Sequence, residues 1–250
     1  MNNTKGSWLS KAIFALLVFA TIFIYPFSTY AQALQSSEFR ETPPASPPFN
    51  GVMYFFWYGS PHAYDLSPEL TGWVSANPKV KFQMVPVAFR EDFTPHSQIF
   101  YTFEELGRAD MNLKVMTAMH TQNKRLMTDE EIGVWVEGYG FNRQDFLAKM
   151  KSPSVLAKVR QANELTRAYG ITGVPNFVVN GKYITGPAIA GSKQKTFLVI
   201  DSLLANRAPI SSVGAGGAKL TNDDYKNKCK ELGFKVGTEE FGKCVLQLSK

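Results

Sequence analysis

The sequence predicts an α/β protein whose sheet is interrupted by a long all-helical insertion and followed by a small helical tail. Three observations carry this. Val52 to Tyr58 is an apolar and aromatic run, bounded by Gly51 and Gly59, that gives way at once to helical spacing through Tyr64, Leu66, Leu70 and Trp73. Residues from about 95 to 170 hold helical patterns only. Then Asn176 to Val179 and Lys182 to Thr185 flank Asn180-Gly181, the strongest short hairpin signal.

The N-terminus reads as an export signal. Lys5 and Lys11 form a positive start, Ala12 to Phe27 is apolar, and Ala31-Gln32-Ala33 fits a small-x-small cleavage pattern. Residues 1–33 are therefore read as a signal peptide, with an uncleaved membrane anchor as the competing reading. Pro26 and Ser28-Thr29 keep the apolar core short for a span. Export would place the remaining chain in an oxidising compartment, a bacterial periplasm. Residues 34–47, with Pro43, Pro44 and Pro47, read as an extended linker.

The main domain is read over residues 48–206. Its first strand, Val52 to Tyr58, is apolar throughout, as a central strand buried on both faces would be. Ser60 is a favoured N-cap and Pro61 a favoured first helical residue, so a helix starts there and runs to about Ala76, before Asn77-Pro78. Val80 to Phe89 reads as a second strand, parallel to the first through a right-handed crossover. Pro86 within it belongs at a C-terminal end or on an edge. In the insertion, Thr128-Asp-Glu-Glu131 has the form of a capping box, and Ser152-Pro153 starts another helix that ends at Gly170. Ser192 to Leu204 reads as the last helix of the domain.

Residues 207–219 form a Gly/Ser linker, and residues 220–250 a separate small unit. That unit holds the only two cysteines of the chain, Cys229 and Cys244. In an exported chain they most simply form a disulfide.

The formal charge of +6 excludes little. Without residues 1–33 the chain keeps 25 basic and 21 acidic residues, a balance of +4. No Lys/Arg-rich run with interleaved aromatics occurs, so nucleic-acid binding is not expected. The three histidines, His62, His96 and His120, lack ligand spacing, so neither a metal site nor a cofactor is expected.

One stretch carries a family resemblance. Phe-Phe-Trp-Tyr-Gly-Ser60-Pro61-His62-Ala63-Tyr64 resembles the active-site segment of the DsbA family of thiol-disulfide oxidoreductases. That family has Cys-Pro-His-Cys followed by an aromatic residue. Gly173-Val174-Pro175-Asn176-Phe177 resembles the family's cis-proline loop. The resemblance implies a thioredoxin-like fold with an all-helical insertion. It also implies disulfide interchange as the ancestral activity. Here Ser60 and Ala63 stand at the two cysteine positions, so no catalytic residue is expected at Ser60, Pro61, His62 or Ala63.

What those positions do instead has more than one reading. Ser60 caps the helix, lines a peptide groove beside Val174 and Pro175, or acts as a nucleophile with His62 as its base. The third is disfavoured, because the two side chains diverge at a helix start and no carboxylate is placed to orient the histidine. His62 is either a hydrogen-bond donor to a ligand or a relic. Pro175 either presents the loop to an extended peptide or only shapes a turn. The function expected is that of a redox-inactive, exported module that binds an extended polypeptide or an envelope protein at Ser60, His62, Val174 and Pro175. Two alternatives stand beside it: an oxidoreductase by descent, here an inactivated variant, and a structural part of an envelope or secretion assembly. Membrane contact is expected only through the signal segment, if it is uncleaved.

Overall fold

In the computed structural model, residues 38–205, 222–231 and 234–248 are described. The expected signal peptide and the Gly/Ser linker lie outside these residues. A five-stranded sheet runs in the order β1-β5-β4-β2-β3. The strands are β1 (Arg40–Glu41), β2 (Val52–Phe56), β3 (Phe82–Pro86), β4 (Asn176–Val179) and β5 (Tyr183–Thr185). Every residue of β2 is buried, as its unbroken apolar sequence requires for a strand paired on both sides. It pairs parallel with β3 and antiparallel with β4.

Helix α1 (Pro61–Ala76) makes the crossover between β2 and β3. It buries Ala63, Leu66, Leu70 and Trp73, a helical spacing that faces the sheet. Pro68 removes one N–H from its ladder without ending it. Asn77 stops it: its backbone N–H returns to Val74 and its side chain donates to the Trp73 carbonyl at 2.9 Å.

Five helices then form the insertion: α2 (Thr94–Glu105), α3 (Met111–Thr121), α4 (Asp129–Glu137), α5 (Arg143–Met150) and α6 (Pro153–Ala168). Thr128 and Glu131 make the capping box of α4. Phe103 sits at the centre of the insertion, 5.0 Å from the Phe146 ring and 5.4 Å from Phe141. Hairpin β4–β5 turns through Asn180 (φ 52°) and Gly181 (φ 67°), the two left-handed residues that an Asn-Gly turn supplies. A short helix α7 (Pro187–Ala190) and then α8 (Lys193–Leu204) close the domain.

Three details depart from the sequence reading. The second strand is shorter than Val80 to Phe89: it spans Phe82–Pro86, and beyond it the Val87 N–H donates once more to the Phe56 carbonyl, at 2.7 Å. The segment read as a linker contributes β1, which pairs antiparallel with β5. It is also tied down by Tyr169 donating to the Pro47 carbonyl at 2.6 Å and Thr185 donating to the Glu38 carbonyl at 2.6 Å. These partners lie 122 and 147 residues away, so no local pattern announces them.

In the tail, α9 (Asn222–Glu231) and α10 (Glu239–Leu248) pack around a disulfide between Cys229 and Cys244, with Phe241 buried beside it. The tail is not wholly apart from the domain. Phe234 lines a groove with Trp73 and Phe197, on the α1–α8 face.

Candidate functional site

The site is built where β2 ends. Ser60 adopts an extended conformation (φ −81°, ψ 115°), and its Oγ accepts from the Ala63 backbone N–H at 3.3 Å. Its carbonyl accepts from Tyr64 at 3.0 Å, so the first turn closes directly after it. Ser60 and Ala63 are buried, whereas Pro61 and His62 are exposed. No hydrogen bond joins Ser60 to His62 among the described residues. The serine oxygen therefore serves as a helix cap, and the histidine is not placed as its base.

The Val174–Pro175 loop lies at the same end of the sheet. Phe55 pairs with Asn176 in the antiparallel register, so one step further Phe56 faces Pro175, and Ser60 follows four residues later. The Val174–Pro175 peptide bond is cis. Pro175 is buried and Val174 half-buried. Asn176 holds the loop by donating to the Gly173 carbonyl at 2.7 Å. Gly186 leaves the space the loop occupies: a Cβ there would stand 2.7 Å from the Pro175 carbonyl oxygen.

On the other side of α1's first turn is a cleft of about 360 Å³, lined by Trp57, Gly59, Pro61, Met119, His120 and Lys124 among others. The sequence reading did not assign roles to His96 and His120; both hold this wall. Trp57 Nε1 donates to His96 Nδ1 at 2.9 Å, which leaves His96 Nε2 to donate to the Arg125 carbonyl at 2.8 Å. Burial lowers the His96 pKa, which keeps the ring in the neutral form that this donor-acceptor chain needs. His120 Nε2 donates to the Tyr58 carbonyl at 2.8 Å, and its ring stacks on Tyr64 at 4.9 Å. Trp57 stacks on Phe93 at 4.1 Å, and Gly59 is required because a Cβ there would meet the Trp57 ring at 2.4 Å. The signal for these clamps was slight: a histidine within an apolar helical pattern, its partner 39 or 62 residues distant.

Neither cysteine is here. Both are joined in the tail, and there is no free thiol among the described residues.

A central strand that turns sharply into a capped helix, opposite a cis-proline loop, with helices inserted between the halves of the sheet, defines a thioredoxin-fold domain of the inserted type. The DSBA-like thioredoxin domain family matches residues 51–199. The chain belongs to that family. It is 39% identical over 155 residues to the thiol:disulfide interchange protein DsbA of Burkholderia cepacia, a match covering 61% of this chain and 73% of that protein. It is 33% identical over 203 residues to DsbA of Bordetella parapertussis, covering 80% of this chain and 97% of its relative. The crystal structure of Pseudomonas aeruginosa DsbA superposes with a TM-score of 0.63 at 32% identity, covering 68% of this chain and 91% of that one.

Proposed function

We propose that this chain is an exported, redox-inactive member of the DsbA family that binds an extended polypeptide. Thiol-disulfide exchange begins with an attacking thiolate. The observation that carries the reading is that Ser60 caps α1 and Ala63 lies in its first turn, with the serine oxygen committed to the Ala63 N–H. A neutral serine hydroxyl does not attack a disulfide.

What remains at this end of the sheet is a surface for binding. Ser60 and His62 bring the start of α1, where the first backbone N–H groups of a helix lack intrahelical partners. Val174 and Pro175 bring a loop at a strand's start, where an extended chain gains main-chain hydrogen bonds. The apolar segment Ala12 to Phe27 and the bonded cysteines support export to the periplasm. The relatives' names supply the ancestral reaction, disulfide interchange, and this chain is read as having kept the surface without it.

The reading is tested with a photocrosslinking residue placed singly at His62, Val174 and, as a control on the exposed side of α6, Arg160. The probe is a reduced, carboxymethylated protein, which is extended and has no thiols. Crosslinks from His62 and Val174 exceeding those from Arg160 at least about tenfold are expected, the contrast of a specific over a nonspecific contact of roughly 1.4 kcal/mol. Equal labelling from all three positions overturns the assignment.

A further inference from the structure

A separate cavity of about 370 Å³ lies between α1, α3 and β3, and it shares no lining residue with the cleft beside Pro61. Its walls are mostly apolar: Leu70, Val74, Phe82, Met84, Leu113 and Met116. Among the described residues no charged side chain lines it. Among the described residues β3 is the last strand of the sheet, with no further strand on this side. Phe82 and Met84 stay half-buried there, and Leu113 is 53% exposed at the rim.

Tyr54 also lines the cavity. Its ring is fully buried and stacks on Phe177 at 4.9 Å, yet its hydroxyl has no hydrogen-bond partner among the described residues. Three polar side chains of the lining already have partners of their own. Ser67 donates to the Ala63 carbonyl at 3.0 Å, Thr71 to the Ser67 carbonyl at 2.8 Å, and Asn112 Oδ1 accepts from Tyr58 at 2.5 Å. A buried hydroxyl is ordinarily paired, and an orphaned one marks a missing partner. Burial also raises the Tyr54 pKa, so the group is a neutral O–H able to donate or accept.

We propose that this cavity binds a small, uncharged, mainly apolar molecule carrying one hydroxyl or carbonyl group, which pairs with the Tyr54 hydroxyl. The volume is within the usual range for such sites, roughly 300–1,000 Å³, and one convergent polar group on an apolar wall is their usual composition. The inference is independent of the polypeptide surface.

The test is a titration of the isotope-labelled full chain by NMR with 4-methylphenol and with toluene, which differ by the hydroxyl. Both should shift the amides of Thr71, Val74 and Leu113. 4-Methylphenol should bind about 3- to 10-fold more tightly, the usual worth of one hydrogen bond. Tyr54→Phe should keep toluene binding and abolish the preference. Ala109→Trp, at the exposed rim, should weaken both. Shifts at other surfaces, no shifts up to the solubility of the probes, or a preference that survives Tyr54→Phe each overturn the proposal. Tyr54→Phe removes no hydrogen bond, so it is the variant that decides if Ala109→Trp fails to fold.

Discussion

The double substitution Ser60→Cys with Ala63→Cys is expected to give the chain a thiol that ionises well below an ordinary cysteine, at a pKa of about 7 or lower rather than about 8.5. The reason lies in the first turn of α1. The Ala63 backbone N–H already points at the side-chain atom of residue 60, at 3.3 Å from Ser60 Oγ. A thiolate there gains that donor and the positive end of a 16-residue helix. Loss of the serine cap costs about 1 kcal/mol, against a net domain stability of about 5–15 kcal/mol, so the variant still folds. Absorbance of the thiolate against pH reads the result. Insulin reduction by the variant should rise clearly above that of the unsubstituted chain. An ordinary thiol pKa would mean that the start of α1 no longer has the geometry that disulfide exchange requires.

The second large effect is expected from Gly186→Val. A Cβ at this position meets backbone on the far side: the Pro175 carbonyl oxygen at 2.7 Å and Asn176 Cα at 3.3 Å, besides Asn176 Oδ1 at 2.7 Å. Backbone cannot rotate aside as a side chain can, so the Gly173–Asn176 loop must move. The destabilisation should be about 1–3 kcal/mol, as for other overpacking changes, and read as a lower melting temperature. Polypeptide crosslinking through Val174 should fall in the folded variant. Gly173→Ala is the matching control in the same loop, because a Cβ there has open space within 4 Å. It should leave both stability and crosslinking unchanged. Equal effects of the two substitutions would remove the loop from the account.

Much of the fold was legible because local signals agreed with it. The β2 run, Ser60-Pro61 at the start of α1, the Thr128 box and Asn180-Gly181 each state an element boundary within a few residues. The β2–α1–β3 crossover is legible in the strand–helix–strand pattern, whereas the order of the five strands is not. What the sequence hid are contacts closed over long separations. Arg40 and Glu41 look like linker until β5 offers them an edge. His96 and His120 look like stray histidines until Trp57 and the Tyr58 carbonyl are beside them. Gly186 looks like a strand end, and its need for a missing Cβ appears only when the Pro175 loop folds against it. The tail reads as independent in sequence, yet Phe234 lines one groove with Trp73 and Phe197, which no spacing within residues 220–250 encodes.

The central claim is that a DsbA-family domain persists here without its redox chemistry. An oxidation assay on a peptide with two free thiols, with oxidised glutathione as the terminal oxidant, tests it most directly. The full unsubstituted chain should give no turnover above a Cys229→Ser/Cys244→Ser variant, and that variant none above buffer. Turnover by the unsubstituted chain that disappears in the variant would contradict the account, because it would make the tail disulfide a working redox pair.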